Sequence, residues 1–315
     1  MNQLIRNKEQ SWLAFNERLL QEADKKEVPL LERLRFLGIY SNNMDEFFRV
    51  RVAILKRLTM VNKLTLDEGN EPHVIIRKIE KRVKEMGEQF SQVYRHVVKD
   101  LEKENIYLIN ETQLNEQQVE FVKQYFQNTV RGKIFPLILK PSIPLPSLKD
   151  DAFYLGIVMK RENEKHNEYA LIEVPTYTLE RFVILPHSNG QNHIIILEDI
   201  IRARLHDIFY VFDFQHIEAF AFKLTRDAEL DIDDDVDISY VKAVEESLER
   251  RKVALPVRFV YDAQMPLKLQ KILQHKLGVR KQGTKIAGGR YHNSAVFLNF
   301  PILRRNPFLY HELPS

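Results

Sequence analysis

Apolar residues recur at helical spacing from Ser11 to Leu101, opening with Trp12, Phe15, Leu19 and Leu20 and resuming after Pro29 with Leu30, Leu31, Leu34 and Leu37. This pattern predicts four helices. The clearest is the last, where Ile79, Val83, Met86, Phe90, Val93, Val97 and Leu101 form one stripe among charged and amide side chains. Pro72 falls where a helix accepts proline, in its first turn, after a loop from Leu64 to Glu71. A small helical bundle is expected over residues 1–106. The stretch FLGIYSNNMDEFFRVRVAILKR, Phe36 to Arg57, interrupts its apolar and basic pattern with Ser41, Asn42, Asn43, Asp45 and Glu46. One reading makes Ser41, Asn42 or Asn43 the cap of a helix starting there, with the two acids in its positive first turn.

After Asn105 the period shortens. IYLI reads as a strand, and NEQQVEFVKQYFQNTV as an amphipathic helix opening at Asn115. Pro136, Pro141, Pro144 and Pro146 keep Phe135 to Leu148 extended and out of any central strand. Strand-like runs follow at FYLGIVMK, YALIEV, RFVIL, HIIIL, FAFKLT and VRFVY, with helices near Glu198–Tyr210, Ile238–Lys252 and Pro266–Leu277. The fold class is therefore multidomain: an all-α N-terminal bundle, then an α+β head over 107–315. Its sheet should be mixed or antiparallel, with helices on one side.

Composition narrows the chemistry. Among 315 residues, 44% are hydrophobic and 29% charged, with 10 glycines and 13 prolines, as in a globular protein. A net charge of +3 from 47 basic and 44 acidic side chains gives no ground for expecting nucleic acid as a partner. The absence of cysteine excludes disulfides, thiolate metal sites and cysteine nucleophiles, and fits a cytoplasmic protein. No run of about 18 uncharged apolar residues suggests a membrane span, which leaves peripheral membrane contact open.

Several motifs carry candidate chemistry. A carboxamide such as Asn43 offers a donor and an acceptor together and can pair with an adenine edge. Arg49 and Arg51 follow it as candidates for phosphate contact, beside the plainer reading of a solvated basic face. Asp231, Asp233, Asp234, Asp235 and Asp237 crowd into a glycine-free stretch that does not make a calcium loop and better fits the acidic start of the helix near Ile238. Thr225, Arg226, Asp227 and Glu229 suggest either an ion-pair turn or an anion-facing edge. Gly288 and Gly289 precede Arg290, Tyr291, His292 and Asn293. Paired glycines allow positive φ or a close ligand approach, and Arg290 is a third phosphate candidate, although the loop lacks P-loop spacing. The 10 histidines show no metal-binding pair on one helix.

Together SWLAFNERLLQEA, PLLERLRFLGIYSNNMDEFFRVRVA, KLTRDAE, PVRFVYDAQMP and GGRYHN resemble, in order and over nearly the whole chain, the N-terminal and head domains of bacterial polyphosphate kinases. The resemblance implies that the full-length protein is an enzyme moving the terminal phosphate of ATP onto polyphosphate through a phosphohistidine, with Mg2+ on the nucleotide. It implies that Asn43 belongs to the ATP site, that the bundle covers the adenine ring, and that the head forms a homodimer or higher homo-oligomer. The family's catalytic histidines and metal ligands belong to C-terminal domains with no counterpart here, so these residues alone are expected to be inactive. A rival expectation is a stand-alone module binding polyanions or phosphoinositide-like lipids through the head.

Overall fold

A computed structural model describes residues 7–61, 71–150, 152–162, 164, 166–187, 190–228, 256–279, 283–291 and 294–301. Three rods build the bundle. The first is α1 (Lys8–Asp24), whose start is fixed by the Asn7 side chain accepting from the backbone N–H groups of Glu9 and Gln10 at 3.0 and 3.4 Å. The second joins α2 (Leu30–Glu46), a π-helical segment Phe47–Val52 and α3 (Ala53–Val61). The third is α4 (Pro72–Lys103), with Pro72 in its first turn as expected. Every described residue of 11–101 that belongs to an element is helical.

The second rod corrects the capping reading. No helix starts at Ser41, Asn42 or Asn43; α2 starts at Leu30 after Pro29 and runs straight through them. Burial of Leu34, Leu37, Tyr40, Met44, Phe47 and Phe48 outweighs the modest cost of polar residues in a helix interior. Asp45 and Glu46 therefore lie at the end of α2, not in a first turn. The π segment admits the neighbours Phe47 and Phe48 to the core together: Phe47 stacks on Trp12 at 4.5 Å and meets Phe48 edge-on at 6.0 Å.

In the head, β1 (Ile106–Ile109) is followed by α5 (Glu116–Tyr125), which opens on a capping box of Asn115 and Gln118. The strands divide between two sheets. β1 pairs in parallel with β6 (Asn192–Ile196), which pairs antiparallel with β5 (Phe182–Ile184). The larger sheet has the order β2-β4-β3-β7-β8-β9, comprising Leu137–Ile138, Glu168–Val174, Phe153–Lys160, His216–Arg226, Pro256–Asp262 and Thr284–Gly288. It is antiparallel except for the parallel pair of β8 and β9. The proline-rich connector supplies only β2, at an edge, as its missing donors require.

Helices cover both faces of the larger sheet, not one. Leu155, Ile157 and Met159 of β3 pack with α5, α6 (Leu197–Ala203) and α7 (Leu205–Ile208). Tyr154 and Val158 face α8 (Leu267–Lys276). This explains why FYLGIVMK is an almost unbroken apolar run. The helix expected near Ile238–Lys252 and the acidic stretch Asp231–Asp237 lie outside the described residues. The bundle core continues into the head, since Phe182, Ile194, Ile196, Val257, Phe297 and Phe300 belong to the same buried cluster as Leu34 and Val97.

Candidate functional site

The cluster at the end of α2 is where bundle and head are fastened. Asp45 receives Lys223 Nζ of β7 at 2.8 Å and Arg258 Nη1 of β8 at 2.9 Å, and the Arg258 guanidinium lies 4.7 Å from the Phe48 ring centre. One turn beyond, the Arg49 carbonyl accepts from Ala228 N–H at 3.2 Å, and further along the rod Arg57 pairs with Asp227 at 2.7 Å. Of the two readings of the Thr225–Asp227 charges, this contact is an ion pair. Lys56 is buried and donates to the Val257 carbonyl at 2.7 Å and to Thr284 Oγ1 at 2.8 Å, while Thr284 donates to Glu80 of α4 at 2.9 Å. Burial pushes the Lys56 ammonium down to about 8, against the pull of Glu80.

Asn43 sits on the opposite flank of the same rod. It is half-buried rather than exposed, and its Nδ2 donates to Asn16 Oδ1 at 3.0 Å. Asn16 is fully buried on α1 and donates its own amide to the Tyr40 carbonyl at 3.3 Å. Asn43 Oδ1 has no partner among the described residues. The side chain is thus oriented from behind, with its acceptor end available. Asn16 was visible in the sequence as the polar member of the Leu13, Leu20, Ala23 stripe, and Lys56 as a cation beside Val52 and Leu55. Nothing in sequence order connects either residue to its partner.

The basic candidates separate. Arg51 is half-buried and has no hydrogen bond or ion pair among the described residues. Arg290 is taken up by two carboxylates, with Nη2 2.7 Å from Glu111 Oε1 and 2.9 Å from the fully buried Asp199 Oδ1, so a phosphate would compete with both. Tyr291 donates to Asp199 Oδ2 at 2.6 Å. The glycines before them do not use left-handed backbone: among the described glycines positive φ falls at Gly190 (76°) and Gly278 (66°). His292 and Asn293 lie outside the described residues.

Family models match in the order of the fold: the polyphosphate kinase N-terminal domain over residues 5–109 and the polyphosphate kinase middle domain over 117–300. The chain belongs to the polyphosphate kinase family. It is 42% identical over 309 residues to the polyphosphate kinase of Vibrio cholerae serotype O1, covering 97% of this chain and 44% of that protein. To the Escherichia coli K12 polyphosphate kinase it is 39% identical over 313 residues, covering 98% and 45%. The crystal structure of polyphosphate kinase from Porphyromonas gingivalis superposes with a TM-score of 0.81 at 25% identity, over 100% of this chain and 44% of that one. The chain thus spans less than half the length of these relatives. Among the described residues no group of three or more His, Cys, Asp or Glu side chains is arranged to hold a metal ion. No described helix is long and apolar enough to cross a membrane.

Proposed function

We propose that this chain is the nucleotide-contacting and dimer-forming part of a polyphosphate kinase, whose full-length form transfers the terminal phosphate of ATP to polyphosphate through a phosphohistidine outside these residues. The match to the family's N-terminal and middle domains in sequence order carries this reading. In it, Asn43 presents its carboxamide to the adenine edge, held by Asn16, and Arg51 is the basic side chain of the rod best able to meet a phosphate. The head supplies the dimer surface. In this reading the phosphoryl acceptor lies outside these residues, so the chain binds nucleotide without turnover.

Two measurements on the purified chain test this. Calorimetric titration with ATP should show binding that Asn43→Ala weakens by roughly tenfold to a hundredfold, the worth of one bidentate base contact of about 1–3 kcal/mol. Incubation with radiolabelled ATP and magnesium should yield no acid-insoluble polymer. Unchanged ATP affinity in the variant would remove Asn43 from the site, and sustained polymer formation would overturn the division of labour.

A further inference from the structure

A cavity of about 240 Å3 opens where the bundle meets the head, far along α4 from the Lys56–Glu80 fastening. Its walls come from parts of the chain that only the fold brings together. Tyr94 and Val98 belong to α4, Leu108 to β1 and Ile196 to β6, while Tyr291 follows β9. The two aromatic walls are fixed in advance. Tyr94 is stacked against Phe297 at 5.5 Å, and the Tyr291 hydroxyl is held by Asp199 at 2.6 Å.

The rim is cationic. Arg95 and Lys99 stand one helical turn apart, both exposed, and neither has a hydrogen bond or ion pair among the described residues. Two other cations of the same helix are paired, Arg82 with Glu17 and Glu85, and Lys103 with Asp100, whereas Arg77, Lys78, Lys81 and Lys84 have no ion pair among the described residues. Like charges at this spacing repel each other, and a bound anion would relieve that repulsion. Glu102 also borders the cavity and leaves the rim with one net positive charge. That balance suits a monoanion better than a polyphosphate. The volume lies below that of pockets for drug-sized ligands, which begin at about 300 Å3, and fits a body of about one ring.

We propose that this cavity binds a small amphiphilic monoanion, an aryl carboxylate of a single ring, with its ring between Tyr94 and Tyr291 and its carboxylate at Arg95 and Lys99. A ligand seated there touches both bundle and head and so stabilises their docking, because binding only the docked form shifts the equilibrium toward it. The site shares no residue with the Asn43 region and stands independently of the nucleotide reading.

Phenylacetate is the probe, followed by ligand-observed NMR and by the thermal midpoint of the chain. Two controls divide its chemistry: 2-phenylethanol keeps the ring without the charge, and acetate keeps the charge without the ring. Saturable binding of phenylacetate is expected, with both controls weaker by roughly tenfold or more, the worth of a charge-assisted contact or of a buried ring. The exposed pair Arg95→Glu with Lys99→Glu should weaken phenylacetate by a similar factor, and Val98→Phe, which fills the cavity, should abolish binding. If Val98→Phe does not fold, the charge reversals decide the matter alone. No saturation by phenylacetate, equal binding of acetate, or unchanged affinity in the charge-reversed protein would overturn the proposal.

Discussion

Asn43 on α2 gives its amide to Asn16 on α1 at 3.0 Å, and Asn16 has no exposure to solvent. Truncating Asn43 therefore removes more than a surface group. Asn43→Ala strands the buried Asn16 oxygen, and a loss of about 1–3 kcal/mol in unfolding free energy is expected from urea titration. The double variant Asn43→Ala with Asn16→Leu should recover part of that loss, because the orphaned group is gone with its partner. A loss below 0.5 kcal/mol in the single variant would mean that water replaces the contact.

Asp45 holds two cations of the head, and the side chain of Lys223 is only 4% exposed. Asp45→Asn keeps the shape and removes the charge. Withdrawing a carboxylate from a buried cation costs about 3 kcal/mol, so chemical denaturation of the variant should show a loss of that order. The same change should loosen the head from the bundle, read as an increased radius of gyration in small-angle scattering before global unfolding.

Lys56 makes the stability of the bundle–head contact depend on pH. Its folded pKa of about 8 lies below the ordinary 10.5 because burial penalises the ammonium. Below pH 8 both folded and unfolded chains hold the proton, and the burial cost is present in full. Between 8 and 10.5 the unfolded chain binds more protons than the folded one, so stability rises with pH, by up to about 1.4 kcal/mol per unit. Unfolding free energies measured at pH 7.5 and 9.5 should show this rise in the parent chain and a flatter profile in Lys56→Met. Parallel profiles for the two proteins would assign the effect elsewhere.

Gly156 sits at the centre of β3, where an added Cβ would lie 3.1 Å from Leu269 and 3.2 Å from Leu273 of α8. Gly156→Ala should cost about 1–3 kcal/mol by overpacking. A thermal scan checks it, and Gly156→Ala with Leu269→Val should recover part of the loss. No change in midpoint would show that α8 shifts freely on the sheet.

Much of the architecture is legible along the chain because it rests on local periodicity. The stripe from Ile79 to Leu101 fixes α4, Asn115 announces the start of α5, and the prolines after Phe135 confine that segment to an edge strand. The family, too, follows from motif order. Periodicity fails where a helix end must be told from a helix interior: Ser41, Asn42 and Asn43 have the composition of a cap, yet the apolar contacts on either side of them carry the helix through. It also fails to say which strands share a sheet, because pairing depends on contacts distant in sequence. The partners of the polar residues are decided at the same range. Asp45 meets Arg258 across 213 positions and Lys56 meets Thr284 across 228, contacts that exist only once the bundle has docked on the head. Sequence by itself determined the elements and the family; the tertiary structure decided that the polar cluster of α2 is a junction, because burying a charge is tolerable only where the fold delivers its partner.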